Sequence, residues 1–494
     1  MKILKVLEKN TEFWFIIITS FLFYLLRFPS LFEPYWYGDE GVYHAVGMSL
    51  NNGLLLYRDI FDNKPPLLYI IYSIFQSNLF LIKLLSSTFG ILSIIFFFLL
   101  AKKLFYSFKN SNIPIYLSTS IFAFLFGLPL IEGNIANAEN FMLLPIIIAA
   151  FLTVHMTRKP LETNQKSYIL FIIGILLSLA FLVKIVATFD FAAIFVFLVI
   201  SKHISIKNIK TIFKEFKLLF AGFLLPIVIT SIFFLIKGAF LDFLNATLFT
   251  NIPYVGYGNK IWNLPVLLFI KGLLLLGSVT YIYSKRHVLD KTMIFIFIWL
   301  AFSLFNAFFS QRPYTHYVLV LLPSLSLLVG LIFSAKKYQK IILLLLFVVL
   351  LITIKNFRLY SFTKSFLYYP NFVSYIIGQK STFSYQAFFD RNTPSDYEIA
   401  LFIKPRVETN DKVFVWGNNA QVYKLIDVPP FTKYVVGYHM TNYKDGISAT
   451  KNALESTRPK FIVNMSNQKP IPFSLINYSK KVEINNASIY ERIL

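Results

Sequence analysis

The chain of 494 residues contains no cysteine. This absence excludes disulfide bonds, thiolate metal sites and a cysteine nucleophile. Charged residues are also scarce, at 14% of the sequence, against about a quarter in an average soluble domain. Acidic residues are fewer than basic ones, with 24 Asp and Glu against 47 Lys and Arg. A chain so poor in charge does not have the composition of an ordinary soluble protein.

Apolar residues make up 56% of the chain, 56 of its residues are Phe, and the mean hydropathy is +0.64. Runs of about 20 apolar residues predict membrane-spanning helices. Eleven such spans lie near residues 13–32, 80–100, 113–131, 141–157, 168–186, 187–201, 218–236, 264–284, 292–310, 317–334 and 340–354. The first apolar stretch runs into Arg27-Phe-Pro rather than a small-residue cleavage site, so we interpret it as a retained signal anchor.

The net charge of +23 alone would suggest a nucleic-acid partner, but the basic residues follow the loops of a membrane protein instead. Twenty Lys and Arg lie on one side of the predicted spans: Lys2, Lys5, Lys9, Lys102, Lys103, Lys109, Arg158, Lys159, Lys166, Lys202, Lys207, Lys210, Lys214, Lys217, Lys285, Arg286, Lys291, Lys336, Lys337 and Lys340. Eight lie on the other: Arg27, Arg58, Lys64, Lys83, Lys184, Lys237, Lys260 and Arg312. The positive-inside rule therefore predicts a multi-pass plasma-membrane protein with a cytoplasmic N-terminus, an outer loop at 33–79 and an outer C-terminal segment.

Acidic residues show the opposite bias. Before residue 355, nine lie on the predicted outer side and five on the cytoplasmic side. Since Asp and Glu contribute little to orientation, topology does not require this distribution. A catalytic or cation-binding outer face would explain it, and chance in a small sample is the alternative.

The first outer loop carries the densest group of polar residues. Asp39 and Glu40 stand side by side, and Lys64 is followed by two prolines. The pattern predicts two short helices, at 41–50 and 67–75, with the acids at the start of the first and Lys64 at the entry of the second. A lysine at the membrane surface suits a lipid phosphate, although it can also simply extend to lipid headgroups.

Later polar residues interrupt apolar runs at predicted outer ends. Glu139 opens the fourth span, Lys184 closes the fifth, and a Ser310–Tyr317 segment with Arg312 and His316 precedes the tenth. An ionised group at such a depth needs water or a partner. For Glu139 the structural alternative is a carboxylate stabilised by the helix dipole; for Lys184 it is an interface anchor, and for His316 it is plain solvation.

From Lys355 to Leu494 the composition changes, with eighteen basic and ten acidic residues. We expect helices at 393–406, 421–425 and 449–456, strands at 412–416, 434–436 and 461–463, and a hairpin of 481–484 with 488–492. Alternating helices and strands predict a small α/β layer. The predicted domains are thus 1–354 in the membrane and 355–494 outside it.

In their order and outer placement, five of these motifs resemble the GT-C membrane glycosyltransferases, in particular the protein O-mannosyltransferase and aminoarabinose-transferase branch. The five motifs are Asp39-Glu40, Lys64-Pro-Pro, Glu139-Asn140, Lys184 and Arg312–Tyr317. The resemblance implies an all-α polytopic membrane protein with a small C-terminal extracytoplasmic α/β domain. It implies an inverting enzyme that moves a sugar from a polyprenyl-phosphate donor to a lipid, protein or cell-envelope glycan acceptor, among membrane lipids and without nucleic acid.

The same resemblance implies roles for individual residues. The catalytic residues would be Asp39, Glu40 and Glu139; the donor-phosphate ligands Lys64, Lys184 and Arg312; the substrate contacts Tyr43, His44, Asn140, His316 and Tyr317. Asp39 and Glu139 would be the ligands if a divalent cation (Mg, Mn or Zn) is bound. All are expected to face one outer cavity.

Other functions are open on the sequence alone. A transporter or flippase of lipid-linked saccharides is also apolar with a basic cytoplasmic face, but more often carries internal repeats and broken helices, which this sequence lacks. A hydrolase can use paired acids, yet needs no lysines at the level of the lipid. A purely structural protein leaves the outer acids unexplained.

Overall fold

A computed structural model describes residues 10–108, 110–158, 162–202, 209–261, 264–361, 364–465 and 470–493. Several basic residues of the predicted cytoplasmic side lie outside these described residues, namely Lys2, Lys5, Lys9, Lys109, Lys159 and Lys207. The chain begins with helix α1, Thr11–Arg27, which continues into a 3-10 turn at Phe28–Phe32.

The first outer loop contains the two predicted short helices. Helix α2 spans Gly38–Asn51 and helix α3 spans Pro66–Ile74. Proline lacks a backbone N–H and has a fixed φ near the helical value, so Pro66 is suited to the first turn of α3. Both predictions are confirmed, and α2 begins early enough to include Asp39 and Glu40 in its first turn.

Every predicted span contains a helix. The helices are α4 (Leu79–Phe105), α5 (Asn112–Gly127), α6 (Ala138–Arg158), α7 (Thr163–Val183), α8 (Thr188–Ile200), α9 (Ile209–Ile236), α12 (Val266–Ser284), α13 (Lys291–Phe308), α14 (Leu322–Ser334) and α15 (Gln339–Asn356), in addition to α1. Two short helices, α10 (Phe240–Leu244) and α11 (Asn251–Gly258), lie between α9 and α12. Among the described residues, eight helices are long and apolar enough to cross a membrane, and α5, α8 and α14 are shorter apolar helices.

The C-terminal segment alternates helices with short strands. It contains α16 (Lys364–Ile376), α17 (Thr382–Phe389), α18 (Thr393–Ile403), β1 (Val413–Trp416), α19 (Gln421–Ile426), α20 (Gly437–Asn442), α21 (Gly446–Thr457), β2 (Phe461–Asn464), β3 (Tyr478–Ile484) and β4 (Ala487–Arg492). The strands form one sheet in the order β1-β2-β4-β3. The predicted helical membrane protein with a small C-terminal α/β layer is therefore confirmed.

Strand β1 is wholly apolar because all of its residues are buried in the sheet. It pairs in parallel with β2, Val413 opposite Phe461, and all four of its residues are buried. Strands β2 and β4 pair antiparallel, as do β3 and β4, which form the predicted terminal hairpin. The strand predicted at 434–436 is wrong, since Tyr434 makes only a single bridge, to Phe61. This isolated bridge to a residue of the first outer loop is present where a regular strand pairing was expected.

The contacts divide the chain into two compact units. The first comprises Met1–Phe28, Leu85–Ser231 and Asn251–Ser365; the second comprises Pro29–Leu84, Ile232–Thr250 and Phe366–Leu494. Within the first unit, glycines let α7 and α9 approach closely. A Cβ on Gly174 would lie 2.2 Å from the Leu219 oxygen, and one on Gly222 would lie 2.1 Å from the Phe171 oxygen. Small residues at helix contacts are usual in membrane bundles.

The second unit joins the first outer loop to the C-terminal segment. The predicted domain division near residue 355 follows the membrane spans, and it stays a prediction. The contacts themselves place helix α2, with Asp39 and Glu40, in the same unit as the C-terminal sheet.

Candidate active site

Two groups of charged side chains contain most of the residues predicted for the site, one in each unit. The first-loop cluster, in the second unit, consists of Asp39, Tyr43, Asp62, Lys64 and Tyr69. The span-end cluster, in the first unit, consists of Glu132, Glu139, Lys184, His316 and Tyr317.

In the first-loop cluster, Asp39 and Lys64 form an ion pair with 3.6 Å between Oδ2 and Nζ. The Asp39 side chain is 39% exposed and the Lys64 side chain 18%. The Tyr43 hydroxyl, one helical turn along α2, donates to Asp39 Oδ2 at 3.2 Å, and its ring lies 4.8 Å from the Lys64 ammonium. Asp39 is therefore a carboxylate that is oriented by neighbours and still accessible from outside the protein.

Lys64 is held from several directions. Its ammonium lies 3.9 Å from Asp62 Oδ2, and the same oxygen accepts a hydrogen bond of 2.7 Å from the Tyr69 hydroxyl. Its backbone carbonyl accepts from the Tyr57 hydroxyl at 2.8 Å. Two carboxylates and a tyrosine face thus position one ammonium group at the entry of α3.

Glu40 differs from its neighbour Asp39 although it lies in the same helical turn. Its side chain is only 4% exposed and pairs with the fully buried Lys83 at 2.8 Å. Lys83 also lies 3.3 Å from Glu33, which accepts a hydrogen bond of 2.6 Å from the Tyr368 hydroxyl. This buried triad favours a structural role for Glu40, and its predicted catalytic role stays a prediction.

His44 is fully buried, and its ring packs edge-on against Tyr35 and Tyr72. Neither ring nitrogen has a hydrogen-bond partner among the described residues. Burial, with the charges of Lys424 and Lys83, lowers the pKa of His44 to about 3, so the ring is neutral. The geometry favours packing, and the predicted substrate contact of His44 stays a prediction.

In the span-end cluster, Glu139 lies in the first turn of α6 and Lys184 directly follows α7. The Lys184 ammonium donates a short hydrogen bond to Glu139 Oε1 and lies 4.6 Å from the centre of the Tyr317 ring. The Glu139 side chain is 1% exposed, and its Oε2 has no hydrogen-bond partner among the described residues. A buried carboxylate oxygen without a partner is costly, so this position is a candidate for a ligand hydroxyl.

His316 connects Glu139 to a second acid. Its Nδ1 lies 2.8 Å from Glu132 Oε2, and its Nε2 lies 3.9 Å from Glu139 Oε1. Although burial acts to lower it, the two carboxylates raise the pKa of His316 above its ordinary value. Glu132 also accepts from the Thr315 hydroxyl at 2.6 Å, so it orients the whole start of the segment that carries His316.

Arg312 reaches this cluster through two aromatic residues. Its guanidinium lies 4.9 Å from the Tyr254 ring centre and 5.0 Å from that of Tyr257, both on α11. The Tyr254 hydroxyl is 3.2 Å from the Tyr317 hydroxyl, which connects Arg312 to the residues around Lys184. Arg312 Nε is buried without a partner among the described residues.

Asn140, a predicted substrate contact, is completely buried. Its amide donates to the Ile135 oxygen at 2.6 Å, and its oxygen accepts from Arg27 at 3.3 Å. Arg27 also donates to Ser86 at 3.1 Å. These bonds join α1, α4 and the start of α6, and they favour a structural role; the predicted substrate contact stays a prediction.

The two predicted metal ligands, Asp39 and Glu139, each face a lysine. In the described part of the chain, no three or more His, Asp and Glu side chains come together as a metal-binding group. An ammonium already neutralises each carboxylate, so the two pairs as they stand do not fit a protein-bound cation. The predicted Mg, Mn or Zn cofactor stays a prediction.

Sequence patterns missed two acids of these clusters. Glu132 and Asp62 are among the nine acids on the predicted outer side, but no motif distinguishes them, and Tyr254 and Tyr257 lie between predicted spans with no distinguishing pattern. The available signals were that Asp62 lies two residues before Lys64 and that Glu132 adopts a left-handed φ of 58°. Only the first is visible in a sequence.

Comparison with known proteins concerns the fold of the chain. No family model and no curated protein sequence matches the chain. Among solved structures, ArnT from Cupriavidus metallidurans in the apo state matches with a TM-score of 0.59 and 13% identity, over 97% of this chain and 98% of that one. The same protein bound to undecaprenyl phosphate matches with a TM-score of 0.54 and 14% identity, over 96% and 97%.

A more distant match is AglB, the oligosaccharyltransferase of Archaeoglobus fulgidus, in complex with an inhibitory peptide and a dolichol-phosphate. Its TM-score is 0.49 at 12% identity, over 93% of this chain and 70% of that one, which is too low to support an argument. The ArnT matches extend over nearly the whole of both chains, and at 13% and 14% identity they establish architecture alone. The chain has the GT-C fold, which it shares with these ArnT structures.

Proposed function

We propose that this protein is an inverting glycosyltransferase that takes a sugar from a polyprenyl-phosphate donor. The acceptor is a lipid, a protein or a cell-envelope glycan on the outer face of the membrane. The observation that carries the proposal is the Asp39–Lys64 pair, in which an accessible carboxylate lies beside an ammonium in the outer loop. The solved ArnT complex with undecaprenyl phosphate supports the choice of a lipid-phosphate donor.

The proposed reaction forms one bond and breaks one. An acceptor hydroxyl oxygen attacks the anomeric carbon on the face opposite the lipid phosphate, and the bond from that carbon to the phosphate oxygen breaks. The bonding electrons leave with the phosphate, and the hydroxyl proton passes to Asp39 as general base. If the acceptor is itself a phosphate, no strong base is needed, and Asp39 then orients the substrate.

Lys64 is proposed to bind the phosphate that leaves. A lysine ammonium is a compact phosphate ligand, and the charge that develops on the leaving oxygen is stabilised by a cation already in place. Asp62 and the Tyr43 ring hold Lys64 in position before the substrate binds. Such preorganisation avoids the cost of ordering a long side chain during the reaction.

The span-end cluster is proposed to supply further substrate contacts. Lys184 and Arg312 are suited to phosphate, and the unpartnered Glu139 Oε2 is suited to a sugar or acceptor hydroxyl. His316 and Tyr317 offer hydrogen-bonding groups near the same carboxylate. We also propose that the N-terminus is cytoplasmic and the C-terminal segment extracytoplasmic, in accord with the asymmetry of basic residues.

The test is an assay of purified protein with a panel of polyprenyl-phosphate sugars and with lipid, peptide and glycan acceptors. We expect release of polyprenyl phosphate that depends on an acceptor and is lost in Asp39→Asn. A matched control is Glu455→Gln, an exposed acid on α21 that forms an ion pair with Lys451 on the same helix. Absence of transfer, together with movement of an intact donor across vesicle membranes, would instead identify a flippase.

A further inference from the structure

The C-terminal segment surrounds one aromatic residue of the first outer loop. The Phe61 ring lies 5.2 Å from that of Tyr434, 5.4 Å from that of His439 and 4.7 Å from that of Tyr443. The last two contacts are edge-to-face, which is a favourable arrangement of aromatic rings. We call Tyr434, His439 and Tyr443 the Phe61 cage.

The backbone is attached at the same point. The Phe61 N–H donates to the Lys433 oxygen at 2.8 Å, and Phe61 forms a parallel bridge with Tyr434. Inside the cage, the Tyr434 and Tyr443 rings stack 5.6 Å apart, and the Tyr434 hydroxyl donates to Asp445 at 2.7 Å. Phe61 is therefore held by both its side chain and its main chain.

The residues that follow Phe61 lead directly to the proposed phosphate ligand. Asp62 is buried, lies 3.9 Å from the Lys64 ammonium, and has His439 Nε2 at 3.7 Å from its Oδ1. Asp62 Oδ1 also accepts from the Asn63 N–H at 2.8 Å. A displacement of Phe61 would thus move Asp62, one of the two carboxylates that hold Lys64.

The outer loop has little structure of its own at this point. Between the end of α2 and the start of α3, the ordered backbone consists of turns and single bridges, and Tyr57 adopts an unusual φ of 72°. A positive φ of this kind costs free energy in a non-glycine residue, and the conformation persists only where surrounding contacts hold it. The position of Lys64 therefore depends on contacts from elsewhere in the chain.

We propose that the Phe61 cage consists of positioning residues for Lys64, so that the C-terminal segment sets the affinity of the enzyme for its lipid-phosphate donor. The inference rests on the proposed function, because it assigns a phosphate to Lys64. It gives the C-terminal segment a role in donor binding rather than in membrane insertion or chemistry.

The test compares Tyr443→Ala with Tyr443→Phe and with Phe473→Ala in the full-length protein. Phe473 is a matched control, since it is a buried aromatic of the same segment that packs on Phe414 and Trp416 instead of Phe61. The probe is undecaprenyl phosphate in detergent, and the readouts are its dissociation constant, donor KM and kcat, and the melting temperature.

We expect Tyr443→Ala to weaken binding of undecaprenyl phosphate by about tenfold, the equivalent of one misplaced charge-assisted hydrogen bond. Donor KM should rise in parallel while kcat at saturating donor changes little. Tyr443→Phe keeps the ring and should bind as the wild type does. Phe473→Ala should lower the melting temperature and leave the dissociation constant unchanged.

A double variant shows whether the effect passes through Lys64. If it does, Tyr443→Ala combined with Lys64→Ala should bind no more weakly than Lys64→Ala alone, because the positioned group is already absent. Additive losses would overturn the proposal, as would equal weakening by Phe473→Ala. A wild type that binds no undecaprenyl phosphate would contradict the proposed function as well, whereas a binding wild type with an unaffected Tyr443→Ala contradicts only the positioning role.

Discussion

The two acid–lysine pairs, Asp39–Lys64 and Glu139–Lys184, consist of the same chemical groups and differ in burial and in separation. Each acid lies in the first turn of a helix, where the helix dipole favours a negative charge. Yet Asp39 is 39% exposed and 3.6 Å from its lysine, whereas Glu139 is 1% exposed and in close contact with its lysine. A substrate can therefore reach the carboxylate of Asp39, whereas the carboxylate of Glu139 is buried against its lysine.

Different roles follow from that difference. The accessible Asp39, in a wider ion pair, can be reached by a substrate, whereas a buried pair is costly to separate because either ion alone would be poorly solvated. The first-loop cluster is therefore better suited to chemistry, and the span-end cluster to holding charge in a set geometry. The predictions that follow test this division, from the largest expected effect to the smallest.

Asp39→Asn should show the largest effect on activity. The substitution keeps the size of the side chain and removes the negative charge that a general base needs, so turnover should fall by at least about a hundredfold. The measurement is kcat at saturating donor, with membrane insertion and protein level checked in parallel. Near-normal turnover would assign Asp39 a structural role and return the transporter to consideration.

Glu139→Gln should affect folding more than Asp39→Asn does. Loss of the charge leaves Lys184 with a neutral partner in a largely buried position, and we expect a loss of about 2 kcal/mol in stability. The measurement is the melting temperature of the purified protein in detergent. The division of roles would fail if Asp39→Asn lowered the melting temperature as much as Glu139→Gln.

Lys64→Ala should act chiefly on donor binding. Removal of a charged phosphate contact should raise donor KM by about tenfold or more, with a smaller change in kcat if the contact is equally strong in the ground and transition states. Steady-state kinetics over a range of donor concentrations separates the two. An unchanged KM with a large fall in kcat would instead give Lys64 a role only in the transition state.

Both clusters belong to segments predicted to be extracytoplasmic, and labelling should confirm this without altering activity. Because the chain has no cysteine, single replacements provide clean probes. Asn52→Cys and Asn418→Cys should react with an impermeant reagent in intact cells, whereas Asn164→Cys should react only after permeabilisation. An inside location for Asn52 would remove the catalytic interpretation of Asp39.

Sequence patterns predicted the span helices, the two outer-loop helices and most of the strands, but not the short helices α10, α11, α16, α17 and α20. Apolar runs predicted the positions of eleven helices, of which eight in the described part of the chain are long and apolar enough to cross a membrane, because the length of such a run is a local property. Prolines 65 and 66 marked the start of α3, and short apolar runs at 413–416 and 461–463 marked β1 and β2. The predicted strand at Tyr434 failed because its partner is a loop residue, Phe61, far away in the chain.

The pairing of charges was decided by tertiary structure alone. No local pattern shows that Lys83 would neutralise Glu40, leaving Asp39 as the exposed member of the acid pair, or that Glu132 would meet His316 from 184 residues away. Helices and spans follow from the periodicity and hydrophobicity of neighbouring residues. The state of an acid depends on its burial and on the charge that faces it, and both are set by segments distant in sequence.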